Sequence, residues 1–177
     1  GGIGLGLSNS FSALYAQSGA SQKRIGIIGL DTSHSIAFTK ALNAAGASAD
    51  FKGYKVVAAY PKGSNDIISS AERIPGYTEE VKKLGVEIVS SIKELLKKTD
   101  YILLETNDGR LHLQQALEVI KAGKPMFIDK PIAASLKDAV AIFKAAEQNK
   151  VPVFSSSSLR FMTSAQEVAK GKVGKVL

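Results

Sequence analysis

The chain contains no cysteine, no tryptophan and only two histidines among its 177 residues. Without cysteine there is no disulfide framework, no thiolate nucleophile and no Cys-ligated zinc or iron–sulfur centre. His34 and His112 are too few for a His-rich cluster, so the sequence predicts no metal. No basic run is interleaved with aromatics, and the lysines are scattered over helix faces and turns. The net charge of +7 therefore predicts no nucleic-acid partner and leaves anionic small molecules as ligands. The 16 glycines and 5 prolines follow no repeating period, and 45% of the residues are hydrophobic. Both facts argue for a globular chain with a core rather than a collagen-like or disordered one.

Charge is also missing locally. Residues 1–22 carry none, and they are rich in Gly, Ala, Ser and Leu before the basic pair Lys23-Arg24. Such a stretch reads as the remnant of an export signal, with Leu14-Tyr15-Ala16 before a cleavage point, or as a flexible arm. It is too short and glycine-rich for a stable membrane span. The expected location is outside the cytoplasm, in a periplasm, or the cytoplasm if the segment is only an arm. At the other end, Ser164 and Glu167 form a capping-box pattern, and Val176-Leu177 reads as the beginning of a strand. The expected organisation is an arm at 1–22, a nucleotide-binding unit at 23–155 and the start of a second domain at 156–177.

Between the ends, short apolar β-branched runs alternate with amphipathic segments, the pattern of a parallel sheet with crossover helices. Strands are expected at Arg24–Leu30, Lys55–Tyr60, Val86–Val89, Asp100–Thr106, Pro125–Asp129 and Pro152–Ser155. Their continuous apolar character suits strands covered on both faces. Thr32 or Ser33 opens a helix with an apolar face of Ile36, Ala37, Ala41, Leu42 and Ala45, ended by Gly46. Ser91 with Glu94, and Ser135 with Asp138, open two more. Leu113, Ala116, Leu117 and Ile120 mark another that stops at Gly123. Pro61–Gly76 reads as a loop with at most a short helix. The fold class is α/β, a doubly wound, mainly parallel Rossmann sheet with helices on both faces, and its ligand crevice lies at the carboxyl ends of the strands.

The residues at those ends are the candidate site. The first turn, Gly29-Leu30-Asp31-Thr32-Ser33-His34, stands where a dinucleotide fold has G-x-G-x-x-G, with Asp31 and His34 in place of the later glycines. A carboxylate about 4 Å from a phosphate charge costs on the order of 4 kcal/mol at an effective dielectric near 20, so Asp31 must turn away if phosphate binds there. Asp31 or Thr32 serving only as a helix cap is the alternative. The second strand ends in Tyr60-Pro61 rather than a ribose-binding acid, and Lys62 and Ser64 are candidates for a 2′-phosphate contact. Asp31, Ser33, His34 and Ser35 do not make a hydrolase triad, because consecutive residues at a helix start fan apart. Asp129-Lys130-Pro131 ends an apolar strand and puts an ammonium in the crevice, able to donate to a substrate oxygen or to take part in proton transfer. Thr106, Asn107 and His112 border the same edge.

These features together resemble the N-terminal domain of the Gfo/Idh/MocA oxidoreductases. The likeness runs from Lys23 to about Phe161. It rests on the Ile25–Leu30 turn, on Thr106-Asn107 through His112 to Gly123-Lys124-Pro125, on Asp129-Lys130-Pro131 where the family usually has Glu-Lys-Pro, and on Arg160-Phe161. The resemblance implies NAD or NADP as cofactor and hydride exchange with a sugar, cyclitol or related polyol. It also implies a second α/β domain that carries substrate contacts and makes a homo-oligomer. On this chain it makes Lys130 the catalytic lysine, with Pro131 fixing its turn, and sets Thr106, Asn107 and His112 along the cofactor; Gly29, Asp31, Thr32, Ser33, His34, Lys62, Ser64 and Asp129 join the expected cofactor site by their positions at the strand ends. The partner acid or base is expected beyond Leu177, so residues 1–177 alone are expected to be inactive. An NAD-dependent glycosidase of the same fold, or a non-catalytic protein with a degenerate nucleotide site, are the alternatives.

Overall fold

A computed structural model describes residues 22–171. Except for Gln22, the expected signal remnant lies outside the described residues, as does the expected strand at Val176-Leu177. The strands are β1 Lys23–Ile28, β2 Tyr54–Tyr60, β3 Glu87–Ile88, β4 Tyr101–Leu104, β5 Met126–Asp129 and β6 Val153–Ser156. They form one six-stranded sheet in the order β3-β2-β1-β4-β5-β6, and every neighbouring pair is parallel. The helices are α1 Ser33–Asn43, α2 Ile68–Lys83, α3 Ile92–Lys98, α4 Gly109–Lys121, α5 Leu136–Gln148 and α6 Thr163–Ala169. The strand order reverses between β1 and β4, which makes the crevice above them the topological switch point.

Adjacent strand residues are buried on opposite faces, which explains the unbroken apolar runs. Ile28, Leu104 and Ile128 pack under α3, α4 and α5 with Leu95, Val119 and Ile142. Ile27 and Val56 face the other way, with Leu30, Ile36 and Val81 of the α1 and α2 layer. Each such buried side chain contributes about 1.5–3 kcal/mol of transfer free energy. The expected caps form at Thr32, Ser91 and Ser135, each accepting from a backbone N–H of its own first turn. In the Ser91 box the return bond shifts by one residue, because Glu94 accepts from the N–H and hydroxyl of Ser90.

Three local expectations need correction. The buried face of α1 is Ser35, Ile36 and Thr39 rather than its alanines, and the helix ends at Asn43, before Gly46. Hydroxyls serve there because each bonds back along the helix: Ser35 Oγ donates to Thr32 O and Thr39 Oγ1 to Ser35 O, both at 2.7 Å. Half of the supposed loop after β2 is helical, since α2 begins at Ile68 and runs through Pro75. Proline removes the donor for the Ala71 carbonyl, but Ala71 and Pro75 are both exposed, so that carbonyl remains open to solvent. In α6 the N-cap position is Met162, without a side-chain cap, and Ser164 lies inside the helix.

Candidate active site

Strand register assembles the site. Ile28, Leu104 and Ile128 are aligned across β1, β4 and β5, so the next residues, Gly29, Glu105 and Asp129, form a row at the carboxyl ends. Side-chain alternation turns this row away from the α3–α5 core and toward α1. His34, in the first turn of α1, meets it: its Nδ1 donates to Asp129 Oδ2 at 2.7 Å. One ligand-type atom from each of His34, Glu105 and Asp129 lies within 4.8 Å of the others. His34 and Asp129 also rim a cavity of about 460 Å³ walled by Phe38, Leu103, Phe127 and Phe154.

Glu105 is the residue that the sequence reasoning missed. It is fully buried, and neither carboxylate oxygen has a hydrogen-bond partner. Burial pushes its carboxyl well above the usual range, and the charge of Asp129 adds to this while Lys130 opposes it. Its signal was present as a charge closing the apolar run Tyr101-Ile102-Leu103-Leu104. A buried charge is far more informative than another buried leucine.

The remaining candidates divide sharply. Lys130 is exposed, and its peptide bond to Pro131 is cis. Lys62 and Ser33 are exposed as well. Thr32 is spent as the cap, its Oγ1 accepting from His34 N at 3.4 Å. Asp31 is fully buried and turned inward, where its two oxygens accept from Asn107 N at 3.0 Å and Ser64 N at 3.4 Å. Ser64 is also buried, and its single hydroxyl proton is shared between Asp66 at 2.7 Å and Asp108 at 2.9 Å. That engagement puts it behind the loop surface rather than at a phosphate. Asn107 donates its side-chain amide to Ser70 Oγ at 3.2 Å.

Arg110, exposed at the start of α4, clamps Asp66 and Asp108 from the other side. Its guanidinium is the main reason that the Asp108 carboxyl is held far below the usual carboxylate range. His112 is fully buried, with Nδ1 facing the carbonyl of Ile132 at 3.0 Å and Nε2 that of Thr106 at 2.6 Å. It therefore ties the loop after β4 to the loop that carries Lys130. A Cβ on Gly109 would lie 2.8 Å from Ala134 N, so the same loop also rests directly on the start of α4.

A dinucleotide fits this backbone at its first turn. Gly29 has φ +90, and a Cβ there would come within 2.6 Å of the Thr106 backbone, so only glycine lets the chain pass. The amino end of α1 opens above it, where backbone N–H groups favour an anion. Because Asp31 faces inward, its carboxylate does not stand in the way. No acid ends β2, and Asp66, the next one along the chain, is engaged by Arg110.

Comparison with known proteins agrees with this geometry. The family described as oxidoreductase family, NAD-binding Rossmann fold, Gfo/Idh/MocA, matches residues 23–157. A 1,5-anhydro-D-fructose reductase from Ensifer adhaerens is 30% identical over 112 residues, 60% of this chain and 33% of the relative. Among solved structures, the WlbA dehydrogenase from Bordetella pertussis, in complex with NADH and UDP-GlcNAcA, is similar with a TM-score of 0.64 at 20% identity, over 87% of this chain and 44% of that one. Biliverdin reductase from Synechocystis sp. PCC 6803, in complex with biliverdin and NADP+, has a TM-score of 0.65 at 17% identity, over 89% of this chain and 45% of that one. The chain thus spans about a third of the curated relative's length and less than half of either structure's. With most of its residues matched by the family, the chain belongs to the Gfo/Idh/MocA oxidoreductases and comprises their NAD-binding Rossmann domain.

Proposed function

We propose that the whole protein is an NAD(P)-dependent oxidoreductase of a sugar, cyclitol or related polyol, with Lys130 as the residue that touches the reacting oxygen. The observation that carries this reading is the exposed Lys130 at the carboxyl end of β5, beside the row that begins at Gly29. The 1,5-anhydro-D-fructose reductase activity named for the Ensifer relative and the UDP-GlcNAcA held in the Bordetella complex support the substrate class. Gly29 and the amino end of α1 would hold the diphosphate, with Lys62 on the β2 side for the nucleotide end. The chemistry that NAD supplies when bound is acceptance or return of a hydride at the substrate carbon. The Lys130 ammonium donates a hydrogen bond to the hydroxyl or carbonyl at that carbon, which stabilises charge developing on the oxygen. His112 and Gly109 act through the loop, holding Lys130 in place.

Calorimetric titration of the purified protein with NAD, NADH, NADP and NADPH tests the cofactor, and a polyol screen followed by nicotinamide absorbance tests the reaction. The expected result is saturable binding that survives Lys130→Ala, with turnover reduced by about 100-fold or more in that variant. Absence of binding by all four nucleotides, with none retained through purification, overturns the proposal.

A further inference from the structure

The row at the strand ends holds more than a lysine. We propose that His34, Glu105 and Asp129 form a binding site for a divalent first-row transition cation, a ligand that the sequence expectation of no metal passed over. One imidazole nitrogen and two carboxylates suit zinc, manganese, iron(II) or cobalt(II). They come from three separate elements, the first turn of α1 and the ends of β4 and β5.

Glu105 carries the argument. Its carboxylate is buried with both oxygens unpartnered, and one of them lies within 4.8 Å of a His34 ring nitrogen and an Asp129 oxygen. As a protein-only cluster this is costly, because two carboxylates share one imidazole and the deeper of them has nothing to bond. A dication answers both defects at once. The His34 to Asp129 spacing of 2.7 Å is already close to the separation of about 3 Å between neighbouring ligands around an ion with bonds near 2.1 Å. The three chosen atoms all lie within 4.8 Å of one another. Ligands of this kind number only three among the described residues, which leaves positions for water or for a substrate oxygen, as in catalytic rather than structural sites. The charge of Lys130 already acts on Glu105, so a cation here would share the neighbourhood of the proposed catalytic ammonium.

The test is titration of the chelator-treated, purified protein with Co(II), read by the visible absorption of the bound ion, and then with Zn(II) and Mn(II) by calorimetry. One equivalent of Co(II) is expected. Glu105→Gln and His34→Gln are each expected to weaken it by at least about 10–100-fold, the loss seen when even an outer-sphere partner is removed. His34 is partly exposed, so its variant stays informative if a change at the buried Glu105 impairs folding, and circular dichroism identifies that case. A folded wild-type protein that takes up none of the three ions at millimolar concentration overturns the proposal. So does binding that persists in both folded variants, since the ion would then lie elsewhere. Nucleotide titrations are run separately, so failure of the cation site and failure of the cofactor site are read independently.

Discussion

On the β2 side of the switch point, Asp31, Asp66 and Asp108 each meet donors. Asp31 takes two backbone N–H groups, and Ser64 and Arg110 lie between the other two acids. On the β5 side, Glu105 is buried against Asp129 with no donor of its own. The same sheet edge thus holds one acid group that is finished by protein donors and another that is not. Satisfied buried polar groups fasten loops together, whereas an unsatisfied one costs stability and is retained where a ligand or a reaction uses it. The first group fastens the framework, and the second marks the candidate site.

The largest effect expected from breaking this contrast is on the framework side. A Cβ at Gly63 would overlap the Asp31 carboxylate, so Gly63→Ala should lower unfolding stability by about 1–3 kcal/mol in a urea titration. A neutral result would mean that Asp31 is free to move and that its bonds do not fasten the loops.

The next effect has the opposite sign. Glu105→Leu removes two unpartnered oxygens without opening a cavity, and in metal-free buffer at neutral pH it should stabilise the protein by about 1 kcal/mol. The folded-state pKa of Glu105 is raised, so its favourable contribution is complete only below its unfolded value of about 4.3 and is lost as pH rises toward the folded value. The advantage of the leucine variant should therefore grow as pH increases from that point. A pH-independent difference would show that Glu105 has found a partner.

Arg110→Ala should be the mildest, because the guanidinium is exposed. The folded-state pKa of Asp108 is lowered chiefly by Arg110, so this pair contributes above the unfolded aspartate value of about 3.9 and fades as pH falls below it. Urea unfolding followed by circular dichroism should accordingly show the variant slightly less stable than the wild type at neutral pH, with the difference closing as pH falls below about 4.

Much of this was legible in the chain. The six apolar runs, the serine and threonine caps and the alternation of strand and helix are local signals, and the sheet and most helix starts follow from them. The helix through Pro75 was not, because a proline on an exposed face leaves its unmatched carbonyl to water and ends nothing. The site was legible in its membership and illegible in its orientation. Asp31 stood out as an obstacle to phosphate, yet it points inward. His112 stood out as a crevice residue, yet it is buried between two backbone carbonyls. Neither turn can be read from neighbours along the chain, because the donors and acceptors concerned lie on other loops.

By itself, then, the order of residues determined which segments become strands and helices, that Gly29 makes the first turn, and that Lys130 ends an apolar strand. These depend on periodicity, capping and backbone freedom, which act within a few residues. The tertiary structure alone decided that Asp31 would tie loops, and that Glu105 and Asp129 would share a row and meet His34. The last of these joins residues 95 positions apart, and it depends on the register of three strands. A shift of one residue in β4 or β5 would turn its carboxylate to the opposite face of the sheet.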